Sequence, residues 1–350
     1  MFDIVTFGSA ARDLFIKSKD FKTFKYPKFI TGQGLCFNLG SKIYIDNIFF
    51  ATGGGATNTA ATFAKQGFKT ACVGKVGQDP GGKAIKQELK KLKITDWVIE
   101  DKKRTTAYSI ILSVSKKERT ILVYQGACHY LKEKEIPFGK LRTKWIYIAG
   151  LSGQSAKTLV PIINFAKKNK IKLALNPGAS QLALGLSGLK NILSAADVLI
   201  LNQEEGAKLT NLPYQKEKEI FKKLSRSLSG SRQRSGDRIV VMTKGPKGVM
   251  VSDGKYIFQA GTFKEKKYVD RTGAGDAFGA GFTAGLLQSQ KSKIKSQRFT
   301  DKDIEYAIRL GSANATSIVE YLGAKNGILT KSEFLENKRW RNLKIVKSKL

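Results

Sequence analysis

The sequence predicts an α/β protein: a mainly parallel sheet covered by helices on both faces, with a second, smaller β-layer attached. Three observations predict it. Apolar runs rich in β-branched residues alternate with amphipathic stretches along most of the chain, the pattern of repeated βαβ units around a parallel sheet. Two stretches, about 12–48 and 105–125, break that pattern and carry short strand and turn signals with no helix between them. A length of 350 residues is ample for a sizeable core, since chains of ~300 residues bury roughly three quarters of their unfolded surface.

Taken in order, residues 4–7 form the first strand, followed by a short turn. Residues 12–48 read as short strands and turns. Residues 48–51 are a strand, a glycine turn follows, and a helix runs from about Thr57 to Gln66, where Gly67 stops it. Residues 70–75 are a strand and 82–92 a lysine-decorated helix. Residues 105–112 and 120–124 pair as a hairpin. Strands over 144–149, 171–175, 197–201 and 238–243 alternate with helices over 156–168, 203–209 and 217–228. Residues 225–237 are polar and turn-rich and read as a surface loop. A helix of small and apolar residues covers 274–287, and another covers 302–321. A single domain is expected over 1–330, with 331–350 a peripheral basic tail. The β-layer at 12–48 and 105–125 is expected to close over the site as a lid.

Composition excludes several classes. No apolar run approaches the ~20 residues of a membrane-spanning helix. The N-terminal residues show no signal-peptide pattern. Cys36, Cys72 and Cys128 are far apart and odd in number, with neither metal spacing nor a disulfide framework. A cytoplasmic protein with no membrane partner is expected. The charge is extreme, with 62 Lys+Arg against 28 Asp+Glu, net +34. Such a balance suits nucleic acid, but the lysines are scattered through nearly every segment and outnumber the arginines that usually read bases. A basic surface that attracts small anions is the preferred reading, with nucleic acid a disfavoured partner.

Four segments carry chemistry. The strongest is Asp270-Arg271-Thr272-Gly273-Ala274-Gly275-Asp276, which opens a helix. Unpaired N–H groups and a partial positive charge at a helix start bind anions, and glycines let a phosphate approach. A carboxylate in that first turn stays ionised and can accept a proton from an attacking hydroxyl. The bland alternative is a glycine-rich helix start capped by an Asp. The second segment is Gly53-Gly54-Gly55-Ala56-Thr57-Asn58 between a strand and a helix, where Asn58 offers a donor and an acceptor to a polyol. The third is Asn202-Gln203-Glu204-Glu205 at the carboxyl end of a strand, where ligands of α/β sheets gather; a hydrated magnesium ion suits it, and so does a plain helix cap. The fourth is Thr243-Lys244-Gly245-Pro246-Lys247-Gly248, a turn between strands.

In this order and spacing the four segments resemble the ribokinase-like carbohydrate kinases, also called the PfkB family, over about residues 4–328. The resemblance implies a ribokinase-like three-layer α/β/α core with a β-sheet lid, and an ATP-dependent kinase acting on a sugar or nucleoside hydroxyl by direct in-line transfer. It implies that Asp276 is the base and that Gly273, Ala274 and Gly275 form an anion hole for the γ-phosphate. Asn202 and Glu205 match the motif that positions Mg2+ and phosphate, with Glu205 acting on the metal through water. Thr243, Gly245 and Gly248 match ATP contacts, and Asn314 is placed facing the adenine. Asp13 matches the acid that grips the acceptor, with Gly54 and Asn58 beside it. Asp270 and Thr272 fall where members place K+ on backbone carbonyls, but Arg271 stands where a threonine is usual. A homodimer joined through the lids is a further implication. The alternatives of another class are a nucleic-acid-binding protein or a sugar sensor on a kinase scaffold.

Other residues have plainer readings. Cys128 and His129 are neighbours that an extended segment would point apart, so a catalytic pair is not expected. Arg104 and Arg119 flank the hairpin, where they can hold a phosphorylated sugar or simply face solvent. Trp97 and Trp145 read as packing, and the aromatic residues of 21–29 as a cover for the lid.

Overall fold

The computed structural model describes residues 1–29, 32–114, 119–229, 238–291 and 298–350. Its strands are β1 (Phe2–Phe7), β2 (Ala11–Lys17), β3 (Lys22–Lys25), β4 (Gln33–Cys36), β5 (Asn47–Gly53), β6 (Thr70–Gly77), β7 (Thr95–Asp101), β8 (Ala107–Ser113), β9 (Arg119–Tyr124), β10 (Thr143–Ile148), β11 (Lys172–Leu175), β12 (Val198–Asn202), β13 (Ile239–Thr243), β14 (Val249–Ser252), β15 (Tyr256–Ala260) and β16 (Ile345–Lys349). Its α-helices are α1 (Gly55–Lys65), α2 (Pro80–Lys91), α3 (Leu159–Lys168), α4 (Ala179–Leu182), α5 (Gly185–Leu193), α6 (Gln203–Thr210), α7 (Glu217–Ser229), α8 (Ala274–Lys291), α9 (Asp301–Ile318) and α10 (Lys331–Glu336).

The apolar runs become one ten-stranded sheet in the order β16-β15-β14-β13-β12-β11-β10-β1-β6-β7. From β7 to β13 every neighbouring pair is parallel, and β14, β15 and β16 add an antiparallel flank. Every residue of β6 is buried, as expected of a strand covered on both faces. On one face Ile162 of α3, Leu189 of α5, Leu209 of α6 and Phe221 of α7 pack on Val5, Ile146, Leu173 and Leu199. On the other, Phe282 of α8 and Ile304 and Ile308 of α9 pack on Ile4, Tyr147 and Ile200. Ala60 of α1 and Ile85 and Leu89 of α2 continue that layer over Cys72 and Val98. This is the expected three-layer core.

The helix starts follow local chemistry. Asp79 caps α2 by accepting from the Gly82 N–H at 2.8 Å, with Pro80 at the first helical position. Thr300 and Asp303 form a reciprocal capping box on α9.

The smaller β-layer is a four-stranded sheet, β5-β2-β8-β9, with the β3–β4 hairpin as a separate two-stranded piece. β2, β3, β4, β8 and β9 lie in the two stretches that lacked helical signals, and β5, read from sequence as the strand leading into α1, joins them at the edge of the small sheet. In β2 successive side chains point to opposite faces, so Asp13 and Phe15 share one face and Arg12, Leu14 and Ile16 the other.

Two segments differ from expectation. Residues 331–350 are not a peripheral tail. Trp340 is 2% exposed and meets Phe263 edge-on at 5.2 Å, and β16 pairs antiparallel with β15. Its lysines made this stretch read as solvated, yet the Lys347 ammonium lies 3.7 Å over the Tyr256 ring, a cation–π contact that lets a charged strand cover an aromatic one. Within the expected loop at 225–237, residues 225–229 continue α7, and the Ser225 hydroxyl donates back to the Phe221 carbonyl at 2.9 Å. The rest of that loop, 230–237, lies outside the described residues.

Candidate active site

Two loops and a lid strand build the site. After β5 the chain turns at Gly53-Gly54 and enters α1. Gly54 has φ 96°, and a Cβ there would stand 2.5 Å from the Ser9 carbonyl oxygen, so both conformation and space require glycine. The turn brings Asn58 into the first turns of α1. Asn58 Nδ2 donates to Asp276 Oδ2 at 2.9 Å, while its Oδ1 is buried with no hydrogen-bond partner among the described residues. A buried, unsatisfied acceptor is uncommon and calls for a cause.

On the far side, Gly273 ends the 270–273 turn with φ 80°, and a Cβ there would meet the Ala324 Cβ at 2.5 Å. α8 then starts at Ala274, so Gly275 and Asp276 lie in its first turn. Gly275 is exposed, and Gly273, Ala274 and Asp276 are half-buried. The helix N-terminus thus opens outward with its positive end available to an anion, although the Ala274 N–H turns back to the Arg271 carbonyl at 3.2 Å. Burial raises the pKa of Asp276 above the ordinary carboxylate value, opposed by the Asn58 hydrogen bond and the Lys325 charge.

Asp13 of β2 is 4% exposed. Gly53 packs directly on its carboxylate. Burial pushes its pKa up to about 6, against the Lys325 charge and a hydrogen bond with Ser109, with the charges of Asp270 and Asp276 adding to the rise. Asn58 and Asp276 are therefore bonded to each other, and Asp13, against the Gly53–Gly54 turn, lies near enough to feel the Asp276 charge.

At the end of β12, Asn202 and Glu205 form a reciprocal capping box. Asn202 Oδ1 accepts from the Glu205 N–H, and Glu205 Oε2 accepts from the Asn202 N–H, both at 2.8 Å. The plain cap reading of this motif is thus present in full. Glu205 nevertheless has a raised pKa, from burial first and then the charges of Glu204 and Asp276, despite that hydrogen bond. Excess negative charge of this kind suits a hydrated divalent cation. Among the described residues no cluster of three or more His, Cys, Asp or Glu is arranged to hold a metal ion, and no helix is long and apolar enough to cross a membrane.

Thr243 ends β13 directly beside Asn202 of β12, and Gly245 and Gly248 frame the tight turn into β14. These residues line the same carboxyl edge of the sheet as Glu205.

The family model described as "pfkB family carbohydrate kinase" matches residues 1–331. The chain belongs to this family. A ribokinase of Haemophilus influenzae is 28% identical over 300 residues, covering 85% of this chain and 90% of that protein. A cytidine kinase of Thermococcus kodakarensis is 26% identical over 273 residues, covering 77% of this chain and 88% of that protein. The solved structure of Giardia lamblia ribokinase superposes with a TM-score of 0.77 at 21% identity, covering 95% of this chain and 97% of that one.

In this pfkB kinase one expected nucleotide contact lies elsewhere. Asn314 is fully buried. Its Nδ2 donates to the Ala277 carbonyl at 2.9 Å and to Thr62 Oγ1 at 3.3 Å, and its Oδ1 accepts from the Leu329 N–H at 3.0 Å. Both donors are used inside the protein, so Asn314 ties α9 to α8 and does not face an adenine. The Cys128–His129 pair sits on a 3-10 turn at 126–130, not on an extended segment. Cys128 Sγ donates to the Gln125 carbonyl, and burial lowers the His129 pKa.

Arg119, read from sequence as a grip for a phosphorylated sugar or a solvent-facing residue, is bonded within the site instead, and Lys325 was not singled out from sequence at all. Arg119 of β9 reaches from the lid to Asp270 Oδ1 and donates to Thr272 Oγ1 at 2.7 Å. Thr272 donates to the same Asp270 oxygen at 3.0 Å. The Arg119 guanidinium therefore occupies the Asp270 side chain and not the backbone carbonyls of Asp270 and Thr272 on which K+ is expected. Lys325 is 7% exposed; it donates to Thr52 Oγ1 at 2.6 Å and to Glu88 Oε2 at 2.9 Å. One lysine among 62 basic residues carries no local signal; only its burial distinguishes it.

Proposed function

We propose that this kinase transfers the γ-phosphoryl group of ATP directly to a hydroxyl of an unphosphorylated sugar or nucleoside. The observation that carries the reading is the Asn58–Asp276 hydrogen bond. It fixes a carboxylate at the anion-binding start of α8 and aligns it with the Asp13 pocket. An acceptor whose other hydroxyls donate to Asp13 and to Asn58 Oδ1 would present the proton of its reacting hydroxyl to Asp276. Asp276 takes that proton as the new O–P bond forms and the bond to ADP breaks. The N–H groups at Gly273–Gly275 stabilise the charge on the transferring group. Asn202 and Glu205 would hold Mg2+ through water, and the ion would supply charge neutralisation on the phosphates. Thr243, Gly245 and Gly248 are read as the nucleotide edge. The Asp270 side chain is read as a lid contact, and the backbone carbonyls of Asp270 and Thr272 as the place for a K+ ion.

An unphosphorylated acceptor is favoured by the state of the two arginines near the lid. Arg119 is engaged on Asp270, and the Arg104 guanidinium lies 3.7 Å over the Tyr130 ring and 3.5 Å from Asp101. Ile48, Phe50 and Leu122 expose about half of their surface on the outer face of the lid sheet, which supports pairing of lids in a homodimer.

The test is ADP release from ATP·Mg with sugars, sugar phosphates and nucleosides, with Asp276→Asn alongside. Turnover on one neutral acceptor, lost in the variant, is the expected result. Turnover on a sugar phosphate alone would overturn the acceptor class. No acceptor-stimulated turnover from folded protein, together with steeply salt-dependent nucleic-acid binding, would favour the binding-protein alternative.

A further inference from the structure

Lys325 is a charged side chain buried beside the acceptor pocket, and the reaction as derived above does not use it. It belongs to the loop after α9, one residue beyond the Ala324 on which Gly273 rests. Its ammonium donates to Thr52 Oγ1 on β5 and to Glu88 Oε2 on α2. Thr52 pairs in register with Arg12, the neighbour of Asp13, across the β2–β5 ladder. A single ammonium therefore joins the base of the lid, the outer helix layer and the loop behind the anion hole. Burying an ammonium is costly unless it is paired, and Glu88, with its side chain 32% exposed, is the one carboxylate bonded to it.

The surroundings are otherwise acidic. Asp13 on β2, Asp270 and Asp276 around the start of α8, and Glu88 on α2 all bear on this region, and the Cys72 thiol of β6 also faces Lys325. Two other cations bear on the region: Arg119 of β9, which is committed to Asp270, and Lys65 of α1, which faces Glu88 and Glu333. Ser109 of β8 contributes a hydrogen bond to Asp13 but no charge. Lys325 is the positive charge that acts on both Asp13 and Asp276.

We propose, resting on the kinase reading above, that Lys325 is a positioning residue: a fixed internal cation that ties the lid base to the anion-hole loop and offsets the charge of Asp13 and Asp276, so that both stay ionised when an acceptor binds. Burial lowers the pKa of Lys325 itself, while Glu88 holds it up. Removing the lysine charge must raise the Asp13 and Asp276 pKa values. Removing the Glu88 charge must lower that of Lys325. The two changes therefore act on opposite limbs of a pH profile.

The experiment measures kcat/KM against pH for the unmodified chain, Lys325→Met, Lys325→Arg and Glu88→Gln. In Lys325→Met the acid limb is expected to move up by about one unit, the low end of what a nearby opposite charge does to a carboxylate, with acceptor KM raised. Lys325→Arg is expected to restore the acid limb. In Glu88→Gln the lysine keeps its bulk and its Thr52 bond, and the alkaline limb is expected to move down. A purely structural lysine would lower melting temperature and leave both limbs in place, and that result overturns the proposal. If Lys325→Met does not fold, Lys325→Gln takes its place beside Glu88→Gln. Carboxyl-carbon NMR titration of Asp13 in the same proteins reads the coupling without substrate. A chain inactive on every acceptor would thus sink the kinase reading, while an Asp13 midpoint unmoved by Lys325→Arg and raised by Lys325→Met or, if that variant does not fold, Lys325→Gln supports the coupling; an unmoved midpoint in the charge-removing variant overturns it.

Discussion

Asp13 and Asp276 are both carboxylates held above their ordinary range, and burial is the first cause for each. Their surroundings separate them. Asp276 receives a side-chain hydrogen bond from Asn58 at the mouth of a helix, whereas Asp13 is enclosed between strands. Replacing Asp276 by Asn removes the proton acceptor and leaves its size, so turnover is expected to fall ~10²-fold or more with the fold retained; steady-state kinetics and circular dichroism check both halves. Asp13 makes a pH-dependent prediction about stability. The folded chain holds its proton up to about pH 6, and the ordinary value is 3.8. The associated stability is complete below pH 3.8 and is lost as pH rises through 6. Asp13→Asn, which cannot ionise, is therefore expected to match the unmodified chain near pH 3.8, gain on it as pH rises, and stay ahead above pH 6 by up to about 3 kcal/mol, two units at 1.36 kcal/mol each. Denaturant unfolding at pH 4 and pH 8 tests this. The same variant should bind acceptor less well, because the charged oxygen that grips a hydroxyl is gone.

At the scale of elements, β9 ties the lid to the catalytic loop. Arg119 of β9 spans to Asp270 and Thr272, so a lid movement and the shape of the 270–273 turn are linked. Arg119→Met removes a charge-assisted contact of roughly 1.5–3 kcal/mol. Acceptor KM is expected to rise roughly 10-fold or more, and ATP hydrolysis without acceptor to increase as water gains access; coupled assays with and without acceptor separate the two. The elements best read from sequence were those whose residues all answer to one environment. β6 is buried along its whole length, and α8 opens with its glycines and Asp276 in immediate succession, so each is visible in a short window. The capping box at Asn202 and Glu205 was also legible, though a cap and a metal-orienting pair use the same residues and the same spacing. What escaped was decided by distant partners. β16 looks like a lysine-rich tail until the aromatic rings of β15 lie beneath it. Asn314 carries the right residue type for a base contact, and only the placement of Ala277, Thr62 and Leu329 shows that its hydrogen bonds are already made. Lys325 and Arg119 acquire meaning from residues far away in the chain.

For the whole molecule, the ten-stranded sheet runs from β7, near the lid, to β16, and residues 331–350 complete it. Trp340 anchors that flank, and Trp340→Ala is expected to destabilise the fold by about 3–5 kcal/mol, the usual range for removing a large buried aromatic side chain; calorimetry or denaturant unfolding measures it, with the chemistry of the distant pocket unchanged in the remaining folded protein. The lid presents the opposite situation, an apolar face open to solvent at Ile48, Phe50 and Leu122. If lids pair, Phe50→Asp with Leu122→Asp should convert a dimer into a monomer in sedimentation or light scattering, whereas a chain already monomeric before the change would refute the pairing.

The hydrogen bond between Asn58 and Asp276 closes a sequence separation of 218 residues. Contacts of such range form late, because the loop they close must lose its freedom before it is rewarded. During refolding from denaturant, helical signal should therefore return well ahead of catalysis, and the interval between the two would be the time that α1 and α8 need to find one another.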